Sequence, residues 1–149
     1  MNLSAAQITA RRHWMSVLAR ASADEIAATL SDGASLPGHS TLRAPQTGMV
    51  MLRGRAGGTG AAFNLGEITV TRCSVRLASG SIGHAYVIGR DARQAELAAV
   101  LDAALQDDDR LLASVIEPLA AAQAERRHAT ETKAAATRVE FFTLATMRT

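Results

Sequence analysis

Residues 67–88 read EITVTRCSVRLASGSIGHAYVI: two runs rich in β-branched residues, Glu67–Leu77 and Ile82–Ile88, parted by the short turn Ala78-Ser79-Gly80. Alternating runs around a glycine-bearing turn predict an antiparallel hairpin. In the first run Ile68 and Val70 lie in one frame, whereas Cys73, Val75 and Leu77 lie in the other. A β-bulge near Thr71–Arg72 would reconcile them. Upstream, Ser40–Arg43 and Gly48–Ala56 read as two further strands joined through Gln46-Thr47-Gly48. Val50 and Leu52 share one face of the longer run; Met49, Met51, Arg53 and Arg55 share the other. The expectation is a central antiparallel β-meander of about four strands.

Helical patterns flank this centre. A run from Ser4 through Ala21 places Ile8, Met15 and Leu18 partly on one face, with Trp14 as its anchor. Ser22-Ala23-Asp24-Glu25 has capping-box spacing, Ile26, Ala27 and Leu30 then face inward, and Gly33 ends that helix before the loop Leu36-Pro37-Gly38. After Gly89-Arg90, Asp91 is placed to cap a helix through Gln106, with Gln94 at the box position and Leu97, Val100, Leu101, Ala104 and Leu105 as the buried stripe. Asp107-Asp108-Asp109 gives a break and a new helix start, and Pro118 suits the first turn of another helix. Ala120–Arg138 lacks any Leu, Ile, Val, Met or aromatic residue, so it is helix-prone yet poorly anchored. Val139–Leu144 restores apolar character as a short tail strand or docking segment. The expected class is α+β: N-terminal helices, the meander, C-terminal helices and the apolar tail strand. Residues 1–119 form a compact α+β domain in this reading, and 120–149 an Ala-rich helix and docking tail of the same unit.

Composition bounds the function. The 149 residues are 48% hydrophobic and only 3% aromatic, which excludes a disordered or collagen-like chain and leaves the core to aliphatic residues. No apolar run is long enough to span a bilayer, and Arg11, Arg12, His13 and Arg20 interrupt any secretory pattern, so a cytoplasmic location is expected, without membrane association. The lone Cys73 builds no disulfide framework; its expected role is a small buried strand residue, although Arg72 and Arg76 beside it are placed to lower its pKa. Basic residues outnumber acidic ones by 16 to 14. The excess is concentrated in residues 43–93, where arginines face only Glu67 and Asp91, making a block that attracts anions or an acidic partner.

Arg53-Gly54-Arg55-Ala56-Gly57-Gly58-Thr59-Gly60 is the most unusual stretch. Backbone N–H groups of such a loop can form an anion nest, or the glycines can serve a tight loop packed close to backbone. Ala61-Ala62 stand where a phosphate-binding P-loop needs Lys and Ser/Thr, and the dinucleotide spacing fails as well. The candidates for partner or phosphate contact are therefore Arg55, Gly57, Gly58, Thr59, Gly60, Arg72, Arg76 and Arg90. His13, His39, His84 and His128 have no metal-ligand spacing, and Cys73–His84 is no identifiable nucleophile pair. Neither a metal site nor a catalytic residue is assigned.

Several stretches taken in order resemble the PhnG subunit family of the bacterial carbon–phosphorus lyase, or phosphonate degradation, system. They are Arg12-His13-Trp14-Met15-Ser16-Val17-Leu18-Ala19, Thr47-Gly48-Met49-Val50, Arg55-Ala56-Gly57-Gly58-Thr59-Gly60, Thr71-Arg72 with Val75-Arg76-Leu77, Gly89-Arg90-Asp91, Ala95-Glu96 and Glu140-Phe141-Phe142-Thr143. The resemblance implies an accessory subunit acting with PhnH-, PhnI- and PhnJ-type subunits and a PhnL-type protein. That assembly forms alpha-D-ribose 1-methylphosphonate 5-triphosphate from ATP and methylphosphonate, both substrates of the complex, with no cofactor in this subunit and the nucleosidase chemistry in the PhnI-type chain. It implies no activity for the isolated chain. Gln94 stands where the family is associated with a His, so no imidazole is available there. A nucleotide- or RNA-binding module on the basic sheet is the alternative, but Tyr86 is the sole aromatic within the expected strands, and nucleic acid is not the expected partner.

Overall fold

A single buried helix organises the molecule. The computed structural model describes residues 4–30, 36–57 and 59–139. Its elements are α1 (Ala5–Leu18), α2 (Ala23–Leu30), β1 (His39–Arg55), β2 (Ala62–Leu77), β3 (Ile82–Ile88), α3 (Ala92–Ala104), a π-turn (Leu112–Ile116) and α4 (Glu117–Ala136). Helix α3 packs on all three strands and also contacts α1 and α2. Its Ala95, Ala98, Ala99, Ala103 and Ala104 are all buried, and these small side chains let neighbours approach from every direction.

The three strands run in the order β1-β2-β3, antiparallel throughout. Thr71, Cys73, Val75 and Leu77 of β2 and Ala85 and Val87 of β3 are buried, whereas Arg72, Arg76, His84, Tyr86 and Ile88 stand exposed on the opposite face. The α+β class and helix placement agree with expectation, but among the described residues the strand count is three. The expected strands Ser40–Arg43 and Gly48–Ala56 are parts of one strand that ends at Arg55, and Gln46-Thr47-Gly48 is no turn: Gln46, Thr47 and Gly48 pair with Arg72, Thr71 and Val70. Pro45 lies in a register shift between Arg43 and Gln46 on an edge strand, where a missing N–H breaks no ladder, so the strand runs on through it. The bulge expected near Thr71–Arg72 falls elsewhere too. β2 pairs with β3 without interruption from Val70 to Arg76, and the extra residues sit in β1 between Thr41 and Gln46 and in β2 near Leu65.

Capping follows the sequence closely at two helices. Ser4 accepts from the Gln7 N–H at 3.2 Å while the Gln7 side chain accepts from the Ser4 N–H at 2.8 Å. Ser22 and Glu25 make the same reciprocal pair. Helix α1 ends at Leu18, short of the expected Ala21, with Ala19 as its C-cap. At α3, Asp91 accepts from the Gln94 N–H at 2.9 Å, but Gln94 does not return the bond. Its carboxamide instead donates to the carbonyls of Ala19 at 3.2 Å and Ala21 at 2.6 Å, pinning the exit of α1 against α3. Pro118 occupies the first turn of α4, and the Glu117 N–H reaches back to the Leu112 carbonyl through the π-turn. Gly33 and the tail 140–149, including the expected tail strand, lie outside the described residues; Val139 is exposed.

Glu25 also receives the Arg126 guanidinium from α4. The Ser22 N–H and then Arg126 hold its carboxyl below the usual carboxylate range. A depressed folded pKa gives stabilisation that is full above the unfolded value and lost as pH falls through the folded one. The stability advantage of the wild type over Glu25→Gln should therefore be present at neutral pH and shrink below about pH 4.3. Denaturant titrations of both proteins at pH 7 and pH 3 measure this; a constant difference would refute it.

Candidate functional site

Beyond the end of β3, strands β1 and β2 continue together as a two-stranded arm. Val70 is the last β2 residue paired with β3, at Ile88, while β1 and β2 remain paired out to Arg55 and Ala62. The arm ends in the glycine loop. Arg55 Nη1 donates to the Gly60 carbonyl at 3.2 Å, and the Gly60 N–H donates to the Ala56 carbonyl at 3.2 Å. Gly57 has φ of +62°, a left-handed conformation that other residues adopt at a cost. Gly58 lies outside the described residues. The loop is thus a closed hairpin tip, with Arg55 as its clasp.

The sequence candidates divide into separate places. Arg55, Gly57, Thr59 and Gly60 are at the tip. Arg72 and Arg76 are on the outward sheet face, and Arg90 is exposed just past β3. From Ala62 to Arg72 along β2 the chain covers roughly 30 Å at ~3.3 Å per residue, so tip and face cannot hold one small ligand. Near the base of the arm, Gln46, Gly48, Val50, Val70, Arg72 and Tyr86 line an open hollow of about 550 Å³. Arg72 Nη2 reaches Gln46 Oε1 at 3.4 Å there, leaving its other donors to solvent.

Two constellations escaped the sequence reading. Ser74 and His84 are cross-strand partners, with Oγ and Nδ1 2.9 Å apart on the outward face. Among the described residues no carboxylate orients the other nitrogen of His84, so the pair lacks the third member that activates a nucleophile. The second is Asp102, buried in α3. Its Oδ1 accepts from Arg11 Nε at 3.0 Å and Trp14 Nε1 at 2.9 Å. Its Oδ2 accepts from Arg11 Nη2 at 2.7 Å and the His84 N–H at 2.9 Å. Arg11 and Gln106 also donate to the Ile82 carbonyl, so side chains close the free edge of β3. An acid within the apolar run of α3 was the signal for this hub. Its role is to join α1, α3 and β3.

His39 lies 3.3 Å from Glu96 and His84 meets Ser74, so these histidines have separate surroundings; among the described residues no group of three His, Cys, Asp or Glu could hold a metal. Cys73 is buried, as expected, but its thiol pKa is pushed up by burial rather than lowered by arginine. Phe63 adds a second aromatic to the strands, yet it sits near the tip, far from Tyr86. Among the described residues no helix is long and apolar enough to cross a membrane.

A family model described as phosphonate metabolism protein PhnG matches residues 9–147. The chain belongs to the PhnG family. A PhnG relative from Rhizobium meliloti (strain 1021), alpha-D-ribose 1-methylphosphonate 5-triphosphate synthase subunit PhnG, is 42% identical over 143 residues, covering 93% of this chain and 90% of that protein. The family resemblance drawn from the ordered motifs is thereby established, and the arm, the glycine tip and the open sheet face are features of a PhnG-family chain.

Proposed function

We propose that this chain is an accessory subunit of a carbon–phosphorus lyase core complex, supporting formation of alpha-D-ribose 1-methylphosphonate 5-triphosphate from ATP and methylphosphonate in the cytoplasm. The near full-length match to a PhnG subunit of that synthase carries the reading. The partners are PhnH-, PhnI- and PhnJ-type subunits with a PhnL-type protein. ATP and methylphosphonate are substrates of the complex, and this subunit brings no cofactor.

In that reaction the bond from ribose C1 to adenine breaks and a bond from C1 to a phosphonate oxygen forms. Departing adenine needs a proton, and the phosphonate must be held in line with C1. We assign that work to the PhnI-type subunit. Here Ser74–His84 lacks an orienting acid, and Asp102 has both oxygens occupied at a buried seam. Arg55, Gly57–Gly60, Arg72, Arg76 and Arg90 are proposed as partner or phosphate contacts on separate surfaces. The mostly exposed length of α4 beyond Leu119 supports residues 120–149 as a docking extension of the 1–119 unit.

The purified single chain should show no methylphosphonate-dependent release of adenine from ATP, while the reconstituted assembly should show it only when this chain is present. Robust turnover by the single chain, abolished by a point substitution within it, would sink the reading. The hollow holding Arg72 and Tyr86 favours a second reading, nucleotide binding by the isolated chain. Saturable ATP binding lost in Arg72→Ala would support it.

A further inference from the structure

The outward face of the arm is apolar and uncovered. Val50, Leu52, Phe63 and Leu65 run on toward Tyr86 and Ile88 of β3, and all six are between 37% and 73% exposed. Strand pairing puts Val50 opposite Ile68 and Gly54 opposite Phe63, and a Cβ on Gly54 would lie 3.8 Å from Leu65 Cδ2, so these residues share one side. Met51 and Glu67 pair on the other side. Arg72 and Arg76 stand on the outward face with the apolar residues, and among the described strand residues no Asp or Glu does. A two-stranded ribbon is marginal in water without a layer packed on it.

We propose that this outward face, from the arm to Tyr86 and Ile88, is the docking surface for another subunit whose contact element carries an apolar ridge flanked by carboxylates. Contiguous apolar surface of this kind marks an interaction site. The charge selects the occupant. A second copy of this chain, packing face to face, brings no strand carboxylate to meet Arg72 and Arg76, whereas an acidic rim satisfies both. The surface is distinct from the glycine tip, and the proposal rests on the reading of this chain as a subunit.

The test co-expresses the full chain with the three core subunits named above and measures assembly and affinity. Leu52→Asp places a charge on the outward face, Arg72→Glu reverses its cation, and Met51→Lys places a charge on the opposite face of the same strand, across from Glu67 where it meets an opposite charge. The first two should each weaken association at least tenfold while Met51→Lys stays near wild type, and all three should keep the wild-type melting temperature because Met51 and Leu52 lie on the arm and Arg72 on the exposed sheet face, all outside the core. Amide exchange over residues 48–55 and 62–69, read on the wild type, should slow at least tenfold in the complex. Wild-type affinity in both outward-face variants, or unchanged exchange across the arm, overturns the proposal alone. Failure of the wild type to join any core subunit overturns the subunit reading and this proposal with it. A homodimer disrupted by Leu52→Asp would assign the face to a second copy, contrary to the proposal.

Discussion

Gly83→Ala should loosen or abolish the packing of α3 on the sheet. A Cβ at this position would lie 1.9 Å from the Ala99 carbonyl oxygen and 2.6 Å from the Ala103 nitrogen. Both obstacles are backbone of the buried helix, so no side chain can swing aside. Overpacking a core commonly costs ~1–3 kcal/mol, and a clash with helix backbone belongs at or beyond the top of that range, roughly 3 kcal/mol or more. The expected result is a sharply lowered melting temperature or loss of soluble protein. Gly48→Ala is the control, since a Cβ there meets nothing within 4 Å. Equal melting temperatures for the two variants would show that the approach of α3 to β3 is not what holds the layers together.

Asp102→Ala attacks the same seam by removing acceptors instead of adding bulk. Four donors, from Arg11, Trp14 and the His84 backbone, lose their partner at once. The Asp102 side chain is 1% exposed and that of Arg11 22%, so solvent replaces little of what is lost. Breaking a buried ion pair from one side typically costs ~3–5 kcal/mol. At about 2–4 °C per kcal/mol, the melting temperature should fall by roughly 6–20 °C. Asp102→Asn, which retains one acceptor oxygen, should fall between wild type and alanine. Calorimetry or urea unfolding decides the matter, and a loss under about 1 kcal/mol would show the hub to be dispensable.

Local grammar was the legible part of this molecule. Ser4, Ser22 and Asp91 announced helix starts because an N-cap and its partner lie three residues apart, well within a reading window. The hairpin around Ser79-Gly80 and the facing of Val50 and Leu52 were legible for the same reason. Features that join distant segments were not. Gln94 fits a capping box by spacing, but the carbonyls of Ala19 and Ala21, brought near only by folding, claim its side chain. Gln46-Thr47-Gly48 reads as a turn until its pairing with the distant Arg72, Thr71 and Val70 is known. Residue chemistry singled out Arg55 and the glycines, yet it could not say that they close a hairpin tip some 30 Å from Arg72, because that separation follows from the length of an arm at ~3.3 Å per residue.

The Asp102 hub also orders events in time. Arg11 and Asp102 are 91 residues apart. During synthesis at about 5–20 residues per second, α1 waits roughly 5–18 s for its carboxylate. An isolated helix of 14 residues is marginal, so in that interval the Ser4–Gln7 box is its main local support. The side of α1 bearing Trp14, Val17 and Leu18 meanwhile has no core to enter. Helix α1 is therefore made well before it is secured, and its apolar side stays without its partner until α3 emerges.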